Sequence, residues 1–215
     1  MPSDRVAIVT GSSSGIGLAI AERLLAEGWQ VRGFDVAPAR IEHPAFKSVR
    51  VYLGDDAATE AAARTTEDAT ALVHAAGVLR VGKLGSLQPA DAELMWQLHV
   101  AAVTRIADVV VPAMAARRDG RVVLIGSRVA QGKAGRSLYA ASKAALIALA
   151  RSWAAEVVAS GVTVNVVSPA ATQTAMLEDP ARRAETPKLP PLGRLIRPDE
   201  VAALVSYLLS PAAAA

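Results

Sequence analysis

The sequence of 215 residues contains no cysteine. Disulfides and thiolate metal sites are therefore excluded, and the chain fits a reducing compartment. No secretory leader is visible, because the first apolar run, Val6 to Val9, is short and leads into a glycine-rich loop. The cytoplasm is the expected location. Histidine is scarce, and His43, His74 and His99 lie far apart without metal-ligand spacing, so no metal is expected. No stretch reaches the ~18 uninterrupted apolar residues of a membrane span. Basic clusters are also missing. The formal charge is +3, and Arg117-Arg118 and Arg182-Arg183 are isolated pairs, so no nucleic-acid partner is expected.

What remains is a globular profile, 52% hydrophobic and 20% charged. It suits one domain over residues 1–215, large enough for a sizeable core. Strand-like runs alternate with helical patterns. Arg5–Thr10, Gln30–Phe34, Ser48–Leu53, Thr70–His74, Arg121–Ile125 and Val162–Val167 read as strands. Helices are predicted over Leu18–Ala26, Ala57 to about Asp68, Pro89 to about Ala116, Ser137 to Ala159 and Pro198–Leu209. This alternation predicts an α/β fold, a doubly wound Rossmann-type parallel sheet with six readable strands and helices on both faces.

Between the first strand and helix lies Gly11–Gly17, GSSSGIG. Glycines let a backbone approach a phosphate closely, and a helix amino end supplies free N–H groups. Gly11, Ser13, Gly15, Ile16 and Gly17 are therefore candidate dinucleotide ligands. Asp35 follows Gly17 by 18 residues, close to the ~20 expected of a ribose-binding carboxylate. A carboxylate accepts from a 2′-hydroxyl and repels a 2′-phosphate, so NAD is favoured over NADP; Arg40 is the base that could reverse this. Asp55 and Asp56 either contact adenine or simply cap the next helix. Ala75, Ala76 and Gly77 are small enough for a cofactor to lie against the fourth strand end.

The densest chemistry lies between Ser127 and Lys143. A hydroxyl ends a strand, and Tyr139 and Lys143 stand four apart, hence on one helix face. A neighbouring cation stabilises phenolate, which a tyrosine needs to exchange protons near neutral pH. His99 sits inside a predicted helix, where a lone histidine is more often structural than catalytic. The stretch from Thr172 to Pro191, with Met176 and several prolines, reads as a lid beside the strand ends.

Together these features resemble the short-chain dehydrogenase/reductase family in its single-domain form. Thr10, Gly11, Gly15, Ile16 and Gly17 match its Thr-Gly-x-x-x-Gly-x-Gly motif; Tyr139 and Lys143 match Tyr-x-x-x-Lys, and Ser127 its serine. Asn165, Val167, Ser168 and Pro169 resemble its Asn-x-Val-x-Pro-Gly segment, and Thr172 and Thr174 follow where members contact the nicotinamide side. The resemblance implies hydride transfer between NAD(H) and a secondary alcohol or ketone. Tyr139 would be the general acid or base, Lys143 would lower its pKa and bind the nicotinamide ribose, and Ser127 would hold the substrate oxygen. It also implies a homodimer or homotetramer contacting through the helices that hold Leu98 and Lys143. An NADP-linked carbonyl reductase and a catalytically silent dinucleotide-binding scaffold are the alternatives.

Departures from the pattern shape further expectations. His74-Ala75-Ala76-Gly77 stands where the family has Asn-Asn-Ala-Gly, which is expected to lose side-chain hydrogen bonds. His99 takes the place of the helix asparagine and is expected to serve a modified proton relay. Ser127 precedes Tyr139 by 12 residues, one fewer than usual, and Ala170 replaces a glycine. The family's seventh strand has no counterpart before Ala215, so an open sheet edge is expected. Substrate contacts are expected from Ala130–Arg136, the loop after Gly77, and Thr172–Pro191, including Arg128, Lys133, Arg136, Met176 and Lys188.

Overall fold

The computed structural model describes residues 5–177 and 189–214. Its strands are β1 (Val6–Thr10), β2 (Gln30–Asp35), β3 (Phe46–Arg50), β4 (Ala71–His74), β5 (Gly120–Ile125) and β6 (Val162–Val167). They form one parallel sheet in the order β3-β2-β1-β4-β5-β6. The helices are α1 (Gly15–Ala26), α2 (Asp56–Arg64), α3 (Pro89–Trp96), α4 (Ala102–Arg117), α5 (Ser137–Val157) and α6 (Pro198–Leu209).

Parallel strands covered on both faces need apolar residues at every position, and β1, VAIVT, is buried throughout. Successive side chains point to opposite faces. Val6 and Ile8 join a core with Leu72, Ile106, Val110, Leu124 and Leu146, under α4 and α5. Ala7 and Val9 join a second core with Ile20, Leu24, Val73, Val123 and Val205, under α1 and α6. At the edge, β3 reads FKSVR and is mostly exposed. The reversal of strand order between β1 and β4 opens a crevice over the carboxyl ends, where such sheets bind ligands.

Three boundaries differ from the sequence reading. The third strand is Phe46–Arg50 rather than Ser48–Leu53. Val51 donates its N–H to the Asp35 carbonyl, and its partner strand ends there; the apolar Val51 and Leu53 mark burial, not further pairing. α2 ends at Arg64 because the hydroxyls of Thr65 and Thr66 donate to the carbonyls of Ala62 and Ala63 and close it. The long third helical pattern is continuous but contains a π-helical turn, Gln97–Ala101, between α3 and α4. By length and composition the helix Pro89–Arg117 would cross a membrane, yet half of its most apolar window is buried inside the fold.

The π turn has an identifiable polar partner. His74, fully buried at the end of β4, donates Nε2–H to the Leu98 carbonyl at 3.1 Å. Its Nδ1 accepts from the Thr10 hydroxyl at 2.9 Å, whose oxygen in turn accepts the N–H groups of Ala75 (3.1 Å) and Ala76 (3.0 Å). The expected loss of hydrogen bonds at His74 is thus corrected, because an imidazole offers one donor and one acceptor and both are used.

Burial, with the Lys143 charge nearby, depresses the His74 pKa to about 3. Below pH 6.5 the unfolded chain protonates this histidine while the folded chain does not, so stability falls with pH from about 6.5 towards about 3. The expected slope is ~1.4 kcal/mol per pH unit for this group. Chemical denaturation between pH 7 and 4.5 checks this: His74→Asn should flatten the slope, and an unchanged slope would mean that His74 already titrates in the folded state.

Candidate functional site

A cavity of about 790 Å³ lies over the strand ends, lined by the segments that leave β1, β2, β4, β5 and β6. Its size suits a ligand larger than a metabolite fragment. At one end the loop Gly11–Gly17 passes beneath it. Gly17 is there because nothing larger fits: a Cβ would sit 2.2 Å from the Gly11 carbonyl oxygen. α1 begins with no side-chain cap and no acid in its first turn, and its opening residues Gly15, Ile16 and Gly17 line the cavity. An uncapped helix start beneath a glycine turn fits a pyrophosphate.

Asp35 stands at the end of β2. Its two carboxylate oxygens accept the N–H groups of Ser13 and Ala37, each at 2.9 Å. A carboxylate has about four lone-pair sites, so two remain for a diol such as ribose. Ser13 itself does not line the cavity; it is buried, and its N–H is turned to Asp35, while Ser14 takes its place in the wall. Asp55 and Asp56 are also outside. Asp55 caps α2 by accepting the Ala58 N–H at 2.9 Å, and Asp56 pairs with Arg105. Val51, Tyr52 and Leu53 form that wall instead. The apolar wall after β3 was legible only as strand.

The other end gathers Ala75, Ala76, Gly77, Ser127, Tyr139, Lys143, Pro169, Thr172 and Thr174 into the same cavity. Ser127 begins a 3₁₀ turn, Arg128–Gln131, which takes up the shortened spacing to Tyr139. Its Oγ accepts the Val129 N–H at 3.1 Å, leaving its one hydroxyl proton to be donated elsewhere. Lys143 is buried, donates from Nζ to the Ile125 carbonyl at 2.9 Å, and lies 5.9 Å from the Tyr139 ring centre. Burial lowers its pKa to about 8, so the ammonium persists at pH 7.

His99 is the residue whose setting differs most from expectation. It is fully buried within the π turn. Its Nε2 accepts the Val78 N–H at 3.1 Å, which places the proton on Nδ1, and Nδ1–H donates to Ser142 Oγ at 2.8 Å. Both ring nitrogens are engaged within the protein. Burial, with the Lys143 charge beside it, holds its pKa well below the usual range. His99 nonetheless lines the cavity, and a proton relay through it stays a proposal for the pH profile of its variants to test. Beyond β6, the Thr172 segment pairs with Ile196, and Gln173 N–H donates to the Ile196 carbonyl at 2.8 Å. Most of the expected lid, including Lys188, lies outside the described residues.

Comparison with known proteins agrees with this arrangement. The family described as short chain dehydrogenase matches residues 5–185. A 3-oxoacyl-[acyl-carrier-protein] reductase of Vibrio cholerae is 35% identical, over 98% of this chain and 91% of that protein. A solved short chain dehydrogenase/reductase family protein superposes with a TM-score of 0.91 at 33% identity, covering 99% of this chain and 92% of the other. A 3-oxoacyl (acyl-carrier-protein) reductase from Agrobacterium tumefaciens, solved with NADP bound, gives 0.87 at 29% identity, covering 98% and 89%. None of these supports the expected preference for NAD over NADP. With its glycine loop, its parallel sheet and its matched sequence, the chain belongs to the short-chain dehydrogenase/reductase family of NAD(P)-linked oxidoreductases.

Proposed function

We propose that the protein interconverts a secondary alcohol and a ketone, with NAD(H) as its redox partner. The observation that carries this reading is the convergence of Ser127, Tyr139 and Lys143 on the cavity that the glycine loop floors. When bound, the dinucleotide supplies or accepts the hydride; the chain positions it and manages the proton.

Each residue's part follows from its hydrogen-bonding capacity. Ser127 directs its remaining proton at the substrate oxygen, where negative charge develops during reduction. Tyr139 delivers a proton to that oxygen in reduction and withdraws it in oxidation. Lys143 has spent one N–H on Ile125, leaving two for the nicotinamide ribose and for favouring the phenolate. The first turn of α1 holds the pyrophosphate, and Asp35 the adenosine ribose. Arg128, Lys133 and Arg136 line the cavity alongside Val129 and Met176, which suits a carbonyl compound with an anionic or apolar tail. A homodimer or homotetramer through α4 and α5 in the cytoplasm belongs to the same proposal.

NADP(H) is the second reading, favoured by the NADP in the solved reductase from Agrobacterium. Against it, Asp35 is the one carboxylate among the described residues of the cavity wall, and a carboxylate repels a phosphate.

Two experiments test these readings. Fluorescence titration should give NADH the lower Kd, and Asp35→Ala should shrink the difference by about ten-fold or more, as loss of one close like-charge repulsion does; tighter binding of NADPH by the unaltered protein would reverse the cofactor assignment. Tyr139→Phe should lower kcat by roughly 10²–10⁴-fold while cofactor still binds, the range for a lost general acid. Turnover unchanged by Tyr139→Phe would remove the tyrosine from the chemistry.

A further inference from the structure

Three features meet at His99 that the reaction scheme leaves unexplained. The π turn Gln97–Ala101 contains this residue, and its ring packs against the segment that leaves β4. Gly77 leaves room for it: a Cβ there would lie 2.6 Å from His99 Nε2. The ring also meets Tyr139 edge-on, with centroids 5.6 Å apart and planes at 86°. Edge-to-face contact of this kind fixes the relative orientation of two rings.

The hydrogen bonds around the ring run in one direction. Val78 N–H donates to Nε2, Nδ1–H donates to Ser142 Oγ, and Ser142 donates onward to the Tyr139 carbonyl at 2.9 Å. The chain starts on the cofactor side of the cavity, in the loop after β4, and ends on the first turn of α5, which carries the proton donor. A histidine can complete it only while neutral, because protonation would leave the Val78 N–H facing another N–H. Burial keeps it so, helped by the Lys143 charge from α5; neutral His74 from β4 and the Tyr139 ring are also packed near it.

We propose that His99 is a positioning residue, held as the neutral Nδ1–H tautomer, that locks Tyr139 to the Gly77–Val78 loop so that proton donor and cofactor wall keep a fixed separation. This rests on the proposed alcohol–ketone chemistry for its catalytic consequence, but not for its structural content. It assigns Ser142 to the same unit, as the link between ring and helix. It also explains why Gly77 tolerates no side chain while Ala75 and Ala76 precede it.

The experiment begins with ¹⁵N NMR of histidine-labelled protein from pH 8 to 5.5. With three histidines in the chain, each can be assigned by substitution. His99 is expected as a constant Nδ1–H tautomer and His74 as a constant Nε2–H tautomer. A titration of His99 near 6.5, or the opposite tautomer, would overturn the proposal whether or not the protein turns over any substrate. The kinetic arm uses His99→Phe, which keeps a ring against Tyr139 but removes both hydrogen bonds, and His99→Asn, which retains a donor on the Nδ1 side. His99→Phe should lower kcat by roughly ten- to hundred-fold and weaken NADH binding several-fold, the cost of leaving a buried N–H unpaired. His99→Asn should recover much of kcat with the pH profile of the parent. Ser142→Ala and His99→Phe should combine without full additivity, as members of one network do. Full additivity, or a His99→Phe variant with parental kcat and Kd, would count against positioning. An acid limb that disappears in His99→Asn would restore the relay instead.

Discussion

Thr10 ends β1 with one hydroxyl, and that hydroxyl organises the point where the sheet changes direction. It donates to the His74 imidazole and accepts two backbone N–H groups from Ala75 and Ala76. The imidazole passes the connection to the Leu98 carbonyl. Three groups are thereby satisfied by one small residue, and a buried orphan among them would cost about 1–3 kcal/mol. The crevice of the doubly wound sheet opens at this knot, between β1 and β4. Gly11 and the glycine loop follow it on one side, and Gly77 and Val78 on the other. Both walls of the cofactor end are thus referred to the same hydroxyl.

The second organising fact is the burial of Lys143. An ammonium removed from water needs a partner, and it takes the Ile125 carbonyl at the end of β5. Its charge adds to burial in disfavouring imidazolium at His74 and His99. Burial first, and this one cation after it, explain why a site rich in titratable groups contains two histidines that stay neutral. The proposed roles are separate: Tyr139 is the proposed proton exchanger, and the two histidines bond backbone and hydroxyl groups.

Much of the fold was legible in the residues. Six strands, the glycine loop, the acid after β2 and the Tyr139–Lys143 pair each left a local mark, because continuous apolar runs, glycine spacing and helical periodicity are properties of a few adjacent residues. Boundaries were less legible where an apolar residue is buried without pairing, as at Val51 and Leu53. Ser13 and Ser14 could not be told apart, since only the turn of the loop decides which faces the cavity and which faces Asp35. Asp55 and Asp56 were ambiguous for a like reason: a cap and a ligand use the same side chain.

The two histidines mark the limit most clearly. Their one-dimensional context offered a missing asparagine in each case, and nothing about direction. Which nitrogen donates at His74, and which accepts at His99, depends on partners 21 to 64 residues away, at Leu98, Thr10, Val78 and Ser142. The sequence by itself determined the sheet, the family and the candidate site residues, because those are written in local pattern and spacing. Only the tertiary structure decided which polar groups meet, which histidine tautomers result and which residues line the cavity, because those depend on long-range contacts made when the strands align.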